Sequence, residues 1–194
     1  GAGKSTLSRL MTGEEKPQSG RIYWKGHEVS DIDAGEAENH VGYVPQNPKD
    51  SLSQETVYEE IALKLKQHNM PEEEIERKVD EVAKVCGLQY IKYLPLSMLS
   101  FGQLKRVSIA AVLALDPELI ILDEPAAGQD FSHYKDIMHF LQRIHQNGVT
   151  VVIVTHDMHL MLEYTRRAVV MAKGKIVADT SSAFVLINPR LIQI

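Results

Sequence analysis

Four clusters of residues in this 194-residue chain have types and spacings that could do chemistry. Ser100-Phe101-Gly102-Gln103 leads into a helical run, so a hydroxyl and several unpaired backbone N–H groups sit at the positive end of a helix dipole, where anions bind. About one helix further on, Leu119-Ile120-Ile121-Leu122 reads as a short buried strand, stopped by Asp123-Glu124-Pro125 at its carboxyl end. Ligands of open α/β sheets gather at such ends. Successive strand residues face opposite ways, so if Asp123 turns to a metal held on phosphates, Glu124 aims elsewhere, toward an attacking water. The third cluster, Gly1-Ala2-Gly3-Lys4-Ser5-Thr6, precedes an apolar helix start, Leu7 to Met11, and is the back half of G-x-x-x-x-G-K-[ST]. Its glycines let N–H groups close on phosphates, Lys4 reaches the outer ones, and the Ser5 hydroxyl suits Mg2+. The first glycine of that motif would lie ahead of residue 1. The fourth cluster is Thr155-His156-Asp157, behind an apolar run.

Each cluster has a plainer reading. Ser100 and Gly102 alone read equally as an ordinary helix cap. A His after a buried strand is more often structural than catalytic, and His156 with His159 has the i, i+3 spacing of a metal pair, without a third ligand. His159 otherwise reads as surface. His133, His139 and His145 share one helix without consistent ligand spacing and read as its solvated face; Cys86 belongs to an apolar stripe and reads as core.

The elements that must hold these clusters are legible. Residues 13–20 form a polar turn, Arg21 to Trp24 a strand, and Lys25-Gly26-His27 a tight turn. Val41 to Val44 is a second short strand, delivering Pro45 and Gln46 at its carboxyl end. Glu55 to His68 has helical spacing of Val57, Ile61 and Leu65, with Leu63 beside them. The next helix begins at Pro71 with Glu72, Glu73 and Glu74 in its first turn, carries the stripe Ile75, Val79, Val82, Ala83 and Cys86, and ends at Gly87. The Ser100 turn opens a helix over Leu104 to Leu115. Phe131 to Gln146 is amphipathic, with Ile137, Phe140, Leu141 and Ile144 inward and Gly148 at its end; Val149 to Val154 follows as a buried strand. Ala168 to Met171 and Lys175 to Ala178, joined at Lys173-Gly174, form a closing hairpin before a short tail, Ala183 to Ile194. Strand and helix alternate after Asp123, which argues for an α/β fold: a mostly parallel sheet covered on both faces.

Composition narrows the classes. This length suits one domain that buries roughly 70% of its unfolded surface. With 44% hydrophobic and 24% charged residues the chain reads as globular, and a net charge of -5 argues against nucleic acid. One cysteine excludes an intrachain disulfide framework and fits a reducing compartment; no apolar run reaches the 18 or so residues of a membrane span.

Taken together, GAGKST, YVPQNP, LSFGQ, LIILDEP, AGQD and VTHD resemble the Walker A, Q-loop, signature, Walker B, D-loop and H-loop of ATP-binding cassette (ABC) transporter nucleotide-binding subunits. They occur in the family's order across residues 1–157. The resemblance implies a P-loop NTPase of the ABC ATPase type, one domain over 1–194 that lacks its amino-terminal strands. It also implies a small antiparallel β subdomain and a helical subdomain at about 50–110. ATP and Mg2+ are the implied ligands. Gly1, Ala2, Gly3, Lys4, Ser5 and Thr6 would hold the phosphates, Ser5, Gln46 and Asp123 would organise Mg2+, Glu124 would polarise the attacking water and His156 would steady the γ-phosphate. Ser100, Gly102 and Gln103 would reach the nucleotide of a second cassette in a head-to-tail dimer, with Asp130 communicating between the sites.

The run QNPKDSLSQETVYEEIA, with DEPAAGQD and THDMHLMLEYTRRAVVM, looks most like ATPase components of energy-coupling-factor vitamin and cobalt-type importers, some of which carry two cassettes in one polypeptide. The implied function is ATP hydrolysis that powers import through transmembrane partners, at the cytoplasmic face of the membrane. The rivals are a soluble cassette acting on ribosomes or DNA, disfavoured by the acidic charge and the short Gln46 to Ser100 interval, and an inert cassette fragment. Three departures from the family pattern stand out: Phe101 replaces a signature glycine, Ala126 a frequent Thr, and Gln129 a usual Leu.

Overall fold

Three short runs rich in Val, Ile and Leu build the centre of the molecule. In a computed structural model, which describes residues 2–29, 40–127 and 131–192, strands β3 (Val41–Val44), β4 (Leu119–Asp123) and β5 (Thr150–Val154) pair in parallel in the order β3-β4-β5. Val41 lies opposite Leu119, and Leu119 opposite Thr150; at the far end Asp123 lies opposite Val154. The register therefore brings Val44, Asp123 and Val154 to one edge, and the loops that leave it carry Gln46, Glu124 and His156.

Alternation along β4 sends its side chains to two cores. Ile120 and Leu122 join Val44 in the larger cluster, against Ile137, Phe140 and Leu141 of α5 (Phe131–Gln146). Leu119 and Ile121 join Val41 on the other face, where Met11 of α1 (Lys4–Met11) and Trp24 cover them. Both faces are thus covered, as the alternation of strand and helix predicts. One expectation fails: β5 starts at Thr150 and is exposed at its first residue and half-buried along the rest, not fully buried. Among the described residues only one of its edges is paired, which leaves its side chains partly open.

Three helices pack on one another beside the sheet. Thr56 caps α2 (Val57–Gln67) in a reciprocal capping box with Glu59, and Val57, Ile61 and Leu65 are fully buried. In α3 (Glu72–Cys86) the predicted stripe of Ile75, Val79, Val82, Ala83 and Cys86 is buried throughout, and Gly87 closes the helix at φ 72°. The third, α4 (Phe101–Leu113), starts three residues before the predicted Leu104 because Ser100 caps it. A Cβ on Gly42 of β3 would lie 2.1 Å from Val112 Cγ1, so glycine there lets α4 lie directly against the strand.

Two antiparallel ribbons complete the description. Tyr23–Trp24 (β1) pairs with His27–Glu28 (β2) around the expected Lys25-Gly26 turn. Helix α6 (Met158–Tyr164) leads into the hairpin of β6 (Arg167–Ala172) and β7 (Lys175–Ser181), joined at Lys173-Gly174. Helices α7 (Ser182–Ile187) and α8 (Pro189–Ile192) follow. Among the described residues no helix is long and apolar enough to cross a membrane.

Candidate functional site

The phosphate loop enters α1 through Gly3, at φ 91°, a conformation that glycine adopts without strain. Gly3 has no side chain with which to cap α1, and the first N–H groups of a helix have no intrahelical acceptor. The loop leans on the hairpin turn: Gly174 N–H donates to Ala2 O at 3.2 Å, and a Cβ on Gly3 would sit 3.4 Å from Gly174 Cα. Gly1 lies outside the described residues. Lys4 is half-buried, whereas Ser5 and Thr6 are exposed.

In the first turn of α1, Ser5 Oγ donates to Asp123 Oδ2 at 3.2 Å across 118 residues of chain. The same oxygen accepts the Tyr43 hydroxyl at 3.2 Å. Burial, then the adjacent Asp123 charge, push the Tyr43 hydroxyl up to about 12, so it stays a donor at neutral pH. Two hard oxygens, Ser5 Oγ and Asp123 Oδ2, converge as a Mg2+ ion held on phosphates requires, and this donor set fits that ion.

Glu124 behaves differently from its neighbour, as the alternation predicts. Its backbone sits at φ 44°, and its N–H extends the β4–β5 ladder to Val154 O at 2.8 Å. Its carboxylate turns to the end of β5. Oε1 accepts the His156 N–H at 3.1 Å and meets His156 Nδ1 at 2.5 Å, while Oε2 accepts the Thr155 hydroxyl at 3.2 Å. An ionised carboxylate only accepts, so Nδ1 carries the proton and Nε2 is left outward on a ring 80% exposed; the Glu124 side chain is 14% exposed. The sequence reading gave Glu124 and His156 separate tasks and did not foresee their contact.

The remaining polar residues near this edge, and the one cysteine, sort as follows. Asp157 caps α6, accepting from the His159 and Leu160 N–H groups, and His159 is exposed. No metal-binding group of three or more His, Cys, Asp or Glu is found among the described residues. Cys86 is fully buried, and burial pushes its thiol up to about 12, which fits its place in the core.

Gln46 lies on an exposed bend just past β3. Both carbonyls of that bend, Pro45 O and Gln46 O, accept from Lys105 Nζ at 2.7 and 2.9 Å. Lys105 is 2% exposed, and burial pushes its ammonium down to about 8 against the opposing pull of Asp123. The signature residues form a closed unit instead: Ser100 Oγ accepts from Gln103 N–H at 3.3 Å, and Gln103 Oε1 accepts from Ser100 N–H at 2.9 Å. Phe101 is 41% exposed beside them, and a Cβ on Gly102 would meet nothing within 4 Å. The D-loop residues Gln129 and Asp130 lie outside the described residues.

Tyr43 and Lys105 escaped the sequence reading, which named Thr155 without giving it a task. Their signals are faint: a hydroxylated aromatic at the end of an aliphatic strand, and a lysine four residues before buried Ile109 on one helix face.

The model of the ABC transporter family matches residues 1–127. An ABC transporter ATP-binding protein of Enterococcus faecalis is 49% identical over the whole chain, and one of Clostridium perfringens 45%. The chain spans 34% of the length of each. Among solved structures, cbiO1 of Clostridium perfringens, part of the ABC transporter complex cbiONQ, superposes with a TM-score of 0.88 at 33% identity, covering 99% of this chain and 78% of that one. The ATP-binding cassette MJ0796, in a dimeric post-hydrolysis state with ADP and Pi, follows at 0.79 and 27% identity, over 93% and 81%. With a matching family model, relatives near half identity and this P-loop NTPase architecture, the chain belongs to the ABC transporter family.

Proposed function

We propose that this chain is a cassette that binds and hydrolyses ATP to drive substrate import through transmembrane partner proteins. The observation that carries the reading is the split at the end of β4: Asp123 is drawn to Ser5 of the phosphate loop, and Glu124 to Thr155 and His156. Lys4 and the free N–H groups of α1 hold the β- and γ-phosphates. Ser5, Gln46 and Asp123 would hold Mg2+, which neutralises phosphate charge when bound. Glu124, oriented by Thr155 and His156, takes the proton of the attacking water, and His156 offers its outward Nε2 edge to the γ-phosphate.

The signature turn belongs to a neighbour's site. Gly102 has open space where a side chain would stand, so glycine there serves an approach from outside the chain. The occupant is the nucleotide of a second cassette in a head-to-tail dimer, with Asp130 between the two sites. The relatives are about three times as long as this chain, which leaves room for that cassette in the same polypeptide. The likeness to cbiO1, with the stretch after Gln46, supports an energy-coupling-factor-type importer. In this reading the helices over about 50–110 dock on the membrane partner, at the cytoplasmic face.

Mg-ATP hydrolysis by the full-length protein tests the reading against its Glu124→Gln variant. Loss of a positioned general base costs about 10²- to 10⁴-fold in turnover, with ATP still bound. Wild-type single-turnover rates in Glu124→Gln would sink the assignment.

A further inference from the structure

Lys105 is a fully buried cation, and its hydrogen bonds are to main-chain oxygens rather than to a carboxylate. Consecutive carbonyls of an extended strand point opposite ways, so Pro45 O and Gln46 O converge on one ammonium only because the chain bends there. The two bonds fix that bend. Lys105 sits seven residues before Val112 on α4, two turns and about 10 Å along the same face. Pro45 and Gln46 lie three and four residues beyond Gly42, about 10 to 13 Å along the strand. With α4 seated on Gly42 through Val112, the lysine thus arrives over the bend.

A second attachment lies one turn on, where Ser108 Oγ and Ser51 Oγ share a hydrogen bond of 2.9 Å. The loop beyond is tied elsewhere: buried Glu60 of α2 accepts from the Ser53 and Gln54 N–H groups at 2.7 and 2.8 Å. Among the described residues, Lys105 and Ser108 supply the side-chain hydrogen bonds that tie the bend and its following turn to the helix that Ser100 opens. Helix α4 runs unbroken from the Ser100 cap through Lys105, so the signature turn and the Gln46 bend are joined through one element.

We propose that Lys105 is a positioning residue that couples Gln46, facing this chain's own nucleotide, to Ser100 and Gly102, facing a partner's. The proposal rests on the composite-site reading above. Through Lys105, a change at the γ-phosphate felt by Gln46 is carried as a rotation of α4 to the other site. An apolar side chain of similar length would fill the space and leave the two ends to move separately.

The test compares Lys105→Met, Lys105→Arg and Glu60→Gln in the full-length protein. Turnover, KM and the Hill coefficient for ATP are measured together with amide hydrogen exchange at residues 45–51 and 100–106, with and without Mg-ATP. In Lys105→Met, turnover falls about 10-fold, in the range for residues that carry coupling between sites, with KM little changed. Its Hill coefficient moves toward one, and nucleotide alters exchange at 45–51 without altering it at 100–106. Lys105→Arg restores the joint response, and Glu60→Gln keeps it.

Joint exchange responses and an unchanged Hill coefficient in Lys105→Met overturn the proposal. So does a loss of turnover matched by lost ATP affinity that Arg does not rescue, since that marks a purely structural lysine. Should Lys105→Met fail to fold, Lys105→Gln, which lacks the ammonium but stays polar, carries the same two outcomes. A wild-type protein whose Glu124→Gln variant is fully active rejects the hydrolysis reading instead, and the exchange data still decide the coupling.

Discussion

The acidic end of β4 and the cap of α4 are both phosphate-directed in the function proposed above, yet one is assembled by distant parts of the chain and the other closes on itself. Asp123 and Glu124 collect partners from α1, β3 and the end of β5, the farthest of them 118 residues away. The side chains of Ser100 and Gln103 bond to each other's backbone N–H groups, and Gly102 beside them faces open space. A polar group whose hydrogen bonds are all local is free of its own fold and can be offered to a second molecule. A group held from several directions does its work at home. Under the proposed function, the contrast means that the hydrolytic groups are preorganised within one cassette, whereas the signature is a finished surface to be presented to another.

Substitutions can break that contrast. The largest effect is expected at Gly102→Ala. In a helical position with room for a Cβ, alanine raises stability by up to about 1 kcal/mol. It also intrudes on the outside approach, where a misplacement near 1 Å costs about 10²-fold in turnover. Denaturation and ATPase measurements on the full-length protein should therefore move in opposite directions. An unchanged turnover would return Gly102 to being an ordinary residue of a helix start.

Tyr43→Phe probes the assembled side. It removes one of two donors from Asp123 Oδ2 while leaving the ring in its core contacts. Loss of a partner behind a metal ligand costs about 10-fold in metal affinity, read as a higher Mg2+ concentration for half-maximal ATP binding. An unaltered Mg2+ requirement would reduce Tyr43 to packing.

Ser100→Ala is the smallest expected change, about 1 kcal/mol of stability from the lost cap. Ser100→Asn sharpens it, because asparagine caps as well as serine. If Ser100 only caps α4, asparagine restores both stability and turnover; if its hydroxyl is offered to a partner's phosphate, stability returns and turnover does not.

Most of the fold was legible because its elements announce themselves locally. The stripe from Ile75 to Cys86 has helical period, Gly87 ends it, and Lys173-Gly174 turns the hairpin. Local pattern failed at β5, where Val151, Val152 and Ile153 read as a buried strand and are half-buried; burial depends on the neighbours a strand finds, which no window of its own sequence contains. The same limit governs the site. Lys4, Ser5, Asp123 and Glu124 were visible by type and spacing. The grip of His156 and Thr155 on Glu124 and the reach of Lys105 to the Gln46 bend arise from tertiary proximity alone. A lysine on a helix is ordinarily a solvated charge, and only packing against a bent strand makes it an internal fastening.

The turn at Lys173-Gly174 carries a practical warning for anyone building probes into this protein. A short, exposed hairpin turn between two strands is where an epitope tag or a fluorescent module would ordinarily be inserted. Here that turn supports the floor of the phosphate loop through the Gly174 N–H to Ala2 O bond and the close approach of Gly3. A reporter placed there would disturb the nucleotide end of the molecule from the far end of its sequence.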